Sequence, residues 1–127
     1  MTNYSIGDLL VRLKNASLVS NERVEVPKFK YGIAVLEVLK TDKFIEDYEI
    51  VNNSIEVSLK YDAKGIPAIS NVKLFSKPGR RWYIKSNEIT PVRSGTGLQI
   101  VSTPKGVMTT VAAKKQNLGG ELICEIW

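Results

Sequence analysis

Ser102-Thr103-Pro104-Lys105-Gly106-Val107-Met108-Thr109 is the stretch on which the reading of this chain turns, with Gly119-Gly120 close behind. The strand-like run Leu98 to Val101 delivers the chain into small, hydroxyl-bearing and glycine positions. There the backbone can approach a flat or charged ligand closely. Thr109 is placed to cap a short helix over about 110–117, with Gly119 as its C′ residue, and 121–127 reads as a closing strand. Nothing in the stretch supplies a catalytic base. It is suited to contacting a partner rather than transforming one.

Upstream of that stretch, 68–75 alternates as a strand and Lys77-Pro78-Gly79-Arg80 makes a basic turn. Trp82-Tyr83-Ile84-Lys85 is extended again, and Pro91, Gly95 and Gly97 punctuate the approach to residue 98. Further back, Ile6, Leu9, Leu10, Leu13 and Ala16 recur at helical spacing, so a helix is expected over 6–18, opened by Ser5 and Asp8 as an approximate capping box. Residues 22–26 alternate as a strand stopped by Pro27, which is suited to open a helix running to Lys40. Phe44-Ile45 resumes extended structure, and 50–59 reads as a hairpin turning at Asn52-Asn53. The fold class expected is α+β in two small lobes. The N-terminal lobe, 1–65, is α-β-α-β-β; the C-terminal lobe, 66–127, is mainly β with one short helix. The turn-rich Asp62-Ala63-Lys64-Gly65-Ile66-Pro67 sets the boundary.

Charge divides at the same place. Residues 1–65 hold nine Lys/Arg against ten Asp/Glu, whereas 66–127 hold nine against three, so the net +5 belongs to the second half. Between Ile66 and Gly120 the only acidic residue is Glu88. That asymmetry is the footprint of a surface for a polyanion, because a Lys or Arg set against a phosphate releases condensed counterions. The plain alternative is a solvated basic surface.

The chain has one cysteine, Cys124, and no histidine. Disulfide frameworks, most zinc sites, Cys-His nucleophile pairs and the commonest general base are therefore absent. Cys124 alternates with Leu122 and Ile126 and reads as a small buried strand residue. Neither GxGxxG nor GxxxxGK[ST] occurs, and Asp42, Glu46, Asp47 and Glu49 read as a charged sheet rim. No enzyme activity, cofactor or metal is expected. No apolar run approaches the roughly 20 residues of a membrane span, and the first five residues lack the blocks of a secretory signal, so residence in the cytoplasm is expected.

An RNA surface needs cations near hydroxyls, aromatic rings and close-approaching backbone. Lys77, Arg80, Arg81, Tyr83, Lys85, Arg93 and Lys105 offer these in the second lobe, together with Ser102, Thr103 and Gly106. Trp82 and Tyr83 point to opposite faces if they lie on a strand, which places one of them in the core. On the first helix, Arg12 and Asn15 are surface neighbours three apart and form a second, weaker candidate.

The stretch 102–109, followed by Gly119-Gly120-Glu121-Leu122-Ile123-Cys124-Glu125-Ile126-Trp127, resembles the C-terminal signature of the bacterial small-subunit ribosomal protein number eight family. The resemblance runs the length of the chain: 6–16 is similar to that family's opening helix, Lys43-Phe44-Ile45 to its first β segment, and Ser76-Lys77-Pro78-Gly79-Arg80-Arg81 to its middle turn. It implies a two-lobed α+β protein of the cytoplasmic small ribosomal subunit that binds rRNA in the central domain and assists assembly. It also implies binding to the messenger RNA of its own operon. The main contact would be Ser102, Thr103, Pro104, Lys105 and Gly106, supported by Gly119, Gly120 and Glu121, with Arg12 and Asn15 as further contacts. Implied protein partners are the fifth ribosomal protein of the same subunit and, as a further candidate, the twelfth.

The chain departs from the family pattern at Pro104, where a second serine is usual, at Thr110 and Ala112, where acids are common, and near Phe29, where a serine is common. Pro104 removes one hydroxyl and one backbone N–H from the contact loop. The rival reading, from another class, is a protein-interaction module whose basic half docks an acidic partner.

Overall fold

Ile6, Leu9, Leu10, Leu13 and Ala16 are all buried in the computed structural model, along one face of helix α1 (Thr2–Leu18). The structure describes residues 2–77, 79–89 and 97–127, with side chains from Ile6 onward. Pro78, Pro91, Arg93 and Gly95 lie outside the described residues, as does the Ser5 side chain. The helix begins earlier than the Ser5–Asp8 box predicts. Asp8 instead pairs with Arg12 one turn on, Oδ2 to Nε at 3.0 Å.

The chain divides into two units, 1–72 and 73–127. In the first, β1 (Arg23–Pro27), α2 (Lys30–Thr41), β2 (Ile45–Val51) and β3 (Ser54–Leu59) follow α1, and the antiparallel sheet has the order β1-β3-β2. Pro27 does not open α2. It ends β1, paired with Ser54, and the helix starts only after Phe29. Alternation on β3 buries Ile55, Val57 and Leu59 on the side that Val35, Leu36 and Leu39 of α2 and the apolar face of α1 help to cover. A Cβ at Gly32 would lie 2.8 Å from the Phe29 ring and 3.1 Å from Leu9 Cδ1, so glycine lets the two helices close on each other. The β2–β3 hairpin turns at Asn52, whose φ is +55°. Tyr48 of β2 donates to Glu37 Oε1 of α2 at 2.7 Å, and Lys40 meets Asp47 at 3.0 Å.

From the last residue of the first unit onward, β4 (Val72–Leu74), β5 (Tyr83–Ile84), β6 (Leu98–Thr103), β7 (Gly106–Thr109) and β8 (Gly120–Ile126) form the five-stranded sheet of the second unit, of order β4-β8-β6-β7, with β5 also paired to β8. The strand expected over 68–75 is shorter, Val72–Leu74. Helix α3 (Thr110–Lys115) lays Ala113 against Val101 and Ile89, with Ile84, Met108 and Leu118 packed around them. Thr109 caps it as expected, Oγ1 accepting from Ala112 N at 3.1 Å.

The other end of α3 corrects the sequence reading. Asn117, not Gly119, takes the left-handed conformation, with φ +59°. Leu118 N donates to Ala113 O at 2.8 Å and Asn117 N to Lys114 O at 3.1 Å, which is a Schellman closure with Leu118 as its apolar contact.

Candidate nucleic-acid interface

The stretch 102–109 is a β-hairpin rather than a loop. Ser102 faces Val107 and Thr103 faces Gly106 across the β6–β7 ladder, with Pro104 and Lys105 as the two turn residues. Proline suits the first central position because its ring pre-sets φ. Gly106 follows at φ +121°, a value that L side chains rarely adopt, and a Cβ there would meet nothing within 4 Å. Glycine is thus needed for the backbone turn, while the space above it stays open to a partner.

Thr103 is only 8% exposed. Its Oγ1 donates to Gly106 O at 2.8 Å and accepts from Lys105 N at 3.1 Å, so the hydroxyl that looked available to a ligand holds the turn. Ser102 is different: it is half-buried and makes no side-chain hydrogen bond among the described residues. Ser102 pairs with Glu121, and Glu121 pairs with Tyr83. Opposed residues of an antiparallel ladder share a face, so Tyr83, Glu121, Ser102 and Val107 form one row roughly 14 Å long at ordinary strand spacing. The structure therefore brings together three of the expected contacts from three strands.

Glu121 is not free to repel a phosphate as a bare charge. Arg81 Nη1 lies 3.0 Å from its Oε2, with both side chains partly buried. Tyr83 is 70% exposed. Lys77, Arg80, Lys85 and Lys105 are exposed and form no ion pair with a described residue. Lys77 and Arg80 exchange backbone hydrogen bonds of 2.9 Å, and the Lys85 N–H donates to Glu88 Oε1 at 2.8 Å.

Gly119 and Gly120 have a packing reason for being glycine. A Cβ on Gly120 would lie 2.0 Å from Ser102 O, and one on Gly119 would lie 2.6 Å from Ile84 O. The pair lets the start of β8 pass closely between β5 and β6. That passage is what aligns the row.

Arg12 and Asn15 lie on the exposed side of α1 in the first unit. Arg12 is already engaged with Asp8, and its Nη1 donates to Glu25 O at 3.3 Å. An exposed pair of this kind is worth about 0.2–1 kcal/mol and is readily exchanged for another anion. Among the described residues no group of His, Cys, Asp or Glu is arranged to hold a metal ion, and no helix is long and apolar enough to cross a membrane. Cys124 is fully buried, and burial pushes its thiol up to about 12.

Sequence reasoning missed Ser76. Its Oγ accepts from Trp82 N at 2.9 Å and donates to Leu122 O at 2.8 Å, fastening the basic turn to β8. No local signal marks it, because Leu122 lies 46 residues away.

Residues 4–127 match the family described as ribosomal protein S8. The chain belongs to the ribosomal protein S8 family. It is 44% identical over 126 residues to small ribosomal subunit protein uS8 of Anaeromyxobacter sp. (strain K), covering 96% of each chain. With the same-named protein of Helicobacter acinonychis (strain Sheeba) it shares 44% identity over 131 residues and the full length of both, and with that of Pelagibacter ubique (strain HTCC1062) 39% over 125 residues, 96% of this chain and 95% of the relative. Membership makes it a structural, non-enzymatic component of the small subunit of the cytoplasmic ribosome, a ribonucleoprotein constituent serving translation. The S8-family fold expected from the sequence, α+β with two units, is the fold observed.

Proposed function

We propose that the protein binds small-subunit rRNA directly, in the central domain, and helps to organise it during subunit assembly. The observation that carries this reading is the row Tyr83–Glu121–Ser102, with its unengaged Ser102 hydroxyl, beside the exposed Lys105 turn. A ribose or phosphate oxygen meets a hydroxyl there, a base edge or ring meets Tyr83, and the Lys77, Arg80, Lys85 and Lys105 charges receive the flanking phosphates. Thr103, Pro104 and Gly106 give the turn its shape, Gly119 and Gly120 admit β8, and Arg12 with Asn15 supplies a weaker contact. Messenger RNA of the protein's own operon is a second ligand for the same row, and the fifth and twelfth proteins of the subunit are its proposed protein neighbours.

The test is binding of the isolated protein to its rRNA hairpin over a salt series. Stoichiometric, salt-sensitive binding is expected, with Ser102→Ala weakening it by about 1–3 kcal/mol, the loss typical of a buried hydrogen bond left unmade. Absence of binding at low salt overturns the reading.

A further inference from the structure

We propose that Trp82 is a stacking platform for an unpaired base of single-stranded RNA, on the face of the second unit opposite Ser102. The proposal rests on the RNA-binding reading above and adds a contact that reading does not contain. Trp82 precedes β5 and remains in its register, since Trp82 O accepts from Leu122 N at 2.8 Å while Tyr83 faces Glu121. Alternation along an extended chain then turns Trp82 away from the face that carries Tyr83, Glu121 and Ser102. The indole is 48% exposed, a large apolar and polarisable surface left to solvent.

The position is rigid. Trp82 N donates to Ser76 Oγ at 2.9 Å, so both backbone groups of the residue are tied down. The indole also meets the Phe75 ring edge-on, with centroids 5.4 Å apart and planes at 68°. A ring held in place loses little entropy when a base settles on it. The neighbouring chain is cationic: Lys73 Nζ stands 5.2 Å over the Phe75 ring, and Lys77 and Arg80 are exposed, pair through their backbones and form no ion pair among the described residues. An exposed aromatic ring in a cation-rich stretch of chain fits a nucleotide, whose base stacks while its phosphates meet the charges. It does not fit an apolar protein segment, which would leave those cations without partners.

The experiment uses the full chain with Trp127→Phe, which leaves Trp82 as its one tryptophan. The probes are single-stranded oligouridylate, an abasic oligonucleotide of equal length and the rRNA hairpin. Oligouridylate is expected to quench the indole fluorescence and the abasic strand not to. Trp82→Leu is expected to weaken oligouridylate binding about five- to a hundredfold, the range for loss of one stacked base, and Trp82→Tyr to restore most of it. Equal quenching by the abasic strand, or unchanged affinity in Trp82→Leu, overturns the proposal. So does failure of Trp82→Tyr to recover affinity. The quenching arm needs no substitution at Trp82, so it stands even if Trp82→Leu unfolds. If Ser102→Ala weakens hairpin binding while Trp82→Leu leaves oligouridylate binding intact, only this proposal falls. If no RNA binds the parent at low salt, the broader reading falls with it.

Discussion

The Thr103 hydroxyl donates to the Gly106 carbonyl oxygen at 2.8 Å, closing the β6–β7 turn through a side chain. With Lys105 N donating to Thr103 Oγ1 at 3.1 Å, one hydroxyl serves both ends of a two-residue connection. The turn that presents Lys105 is therefore pre-shaped in the free protein. Pro104 is compatible with this arrangement: it stands at a turn position, and the N–H that Thr103 Oγ1 accepts belongs to Lys105.

Removing that hydroxyl separates shape from contact. Thr103→Val is expected to lower unfolding stability by about 1–3 kcal/mol, for two part-buried hydrogen bonds at about 0.5–1.5 kcal/mol each, and Thr103→Ser to recover most of it. Denaturant midpoints at constant m-value are the measurement. Equal midpoints for all three proteins would show that the hydroxyl does not hold the turn.

Gly120→Ala is expected to cost about 3 kcal/mol, near the top of the usual overpacking range, because its Cβ would lie 2.0 Å from Ser102 O and neither strand backbone can yield cheaply. Gly79→Ala is the control. A Cβ there meets nothing within 4 Å, so its change should stay within about 0.5 kcal/mol. The same thermal or denaturant scan reads both.

These two cases mark what the sequence makes legible. The helical period of Ile6, Leu9, Leu10, Leu13 and Ala16 identifies the buried face of α1 because it is a local pattern, and Asn52 announces its turn for the same reason. The β6–β7 hairpin is not announced. Its second strand offers only Val107 and Met108 as apolar residues, and Ser-Thr-Pro-Lys-Gly reads as irregular chain until the Thr103–Gly106 pairing is seen. Gly119 looks like a helix cap from its spacing, yet its Cβ clash is with Ile84 and Lys85, which lie far away in sequence. Trp82 and Tyr83 were expected to divide between core and surface. Both are largely exposed, because β5 pairs only with β8 among the described strands and the second unit's core gathers around Ile84, Val101 and Ala113.

The first unit carries a pH signature. The Tyr48 hydroxyl donates to the Glu37 carboxylate, and that hydrogen bond, with burial, raises its pKa from 10.0 to about 12. The protonated phenol is the form the folded state favours. Its contribution is fully present below pH 10 and is lost as pH rises toward about 12. Absorbance titration should show Tyr48 ionising late in the native protein, with Tyr61 also delayed by burial, and Glu37→Gln should bring the Tyr48 step earlier. A normal titration of all tyrosines would contradict the Tyr48–Glu37 bond.

Cys124 should be inert in the native state, since its thiol is fully buried and held protonated by desolvation up to about 12. Alkylation is expected only at the rate at which β8 opens, rising with denaturant. Rapid stoichiometric labelling in native buffer would refute the burial.

The central claim is that the turn at Pro104–Lys105, beside Ser102, is where RNA is held. The most direct measurement is the slope of log binding constant against log salt for the rRNA hairpin, in the parent protein and in Lys105→Ala. Losing one phosphate contact should weaken binding at every salt concentration and make the slope shallower by about 0.7–0.9. Parallel lines of equal affinity would place the RNA elsewhere and contradict the account.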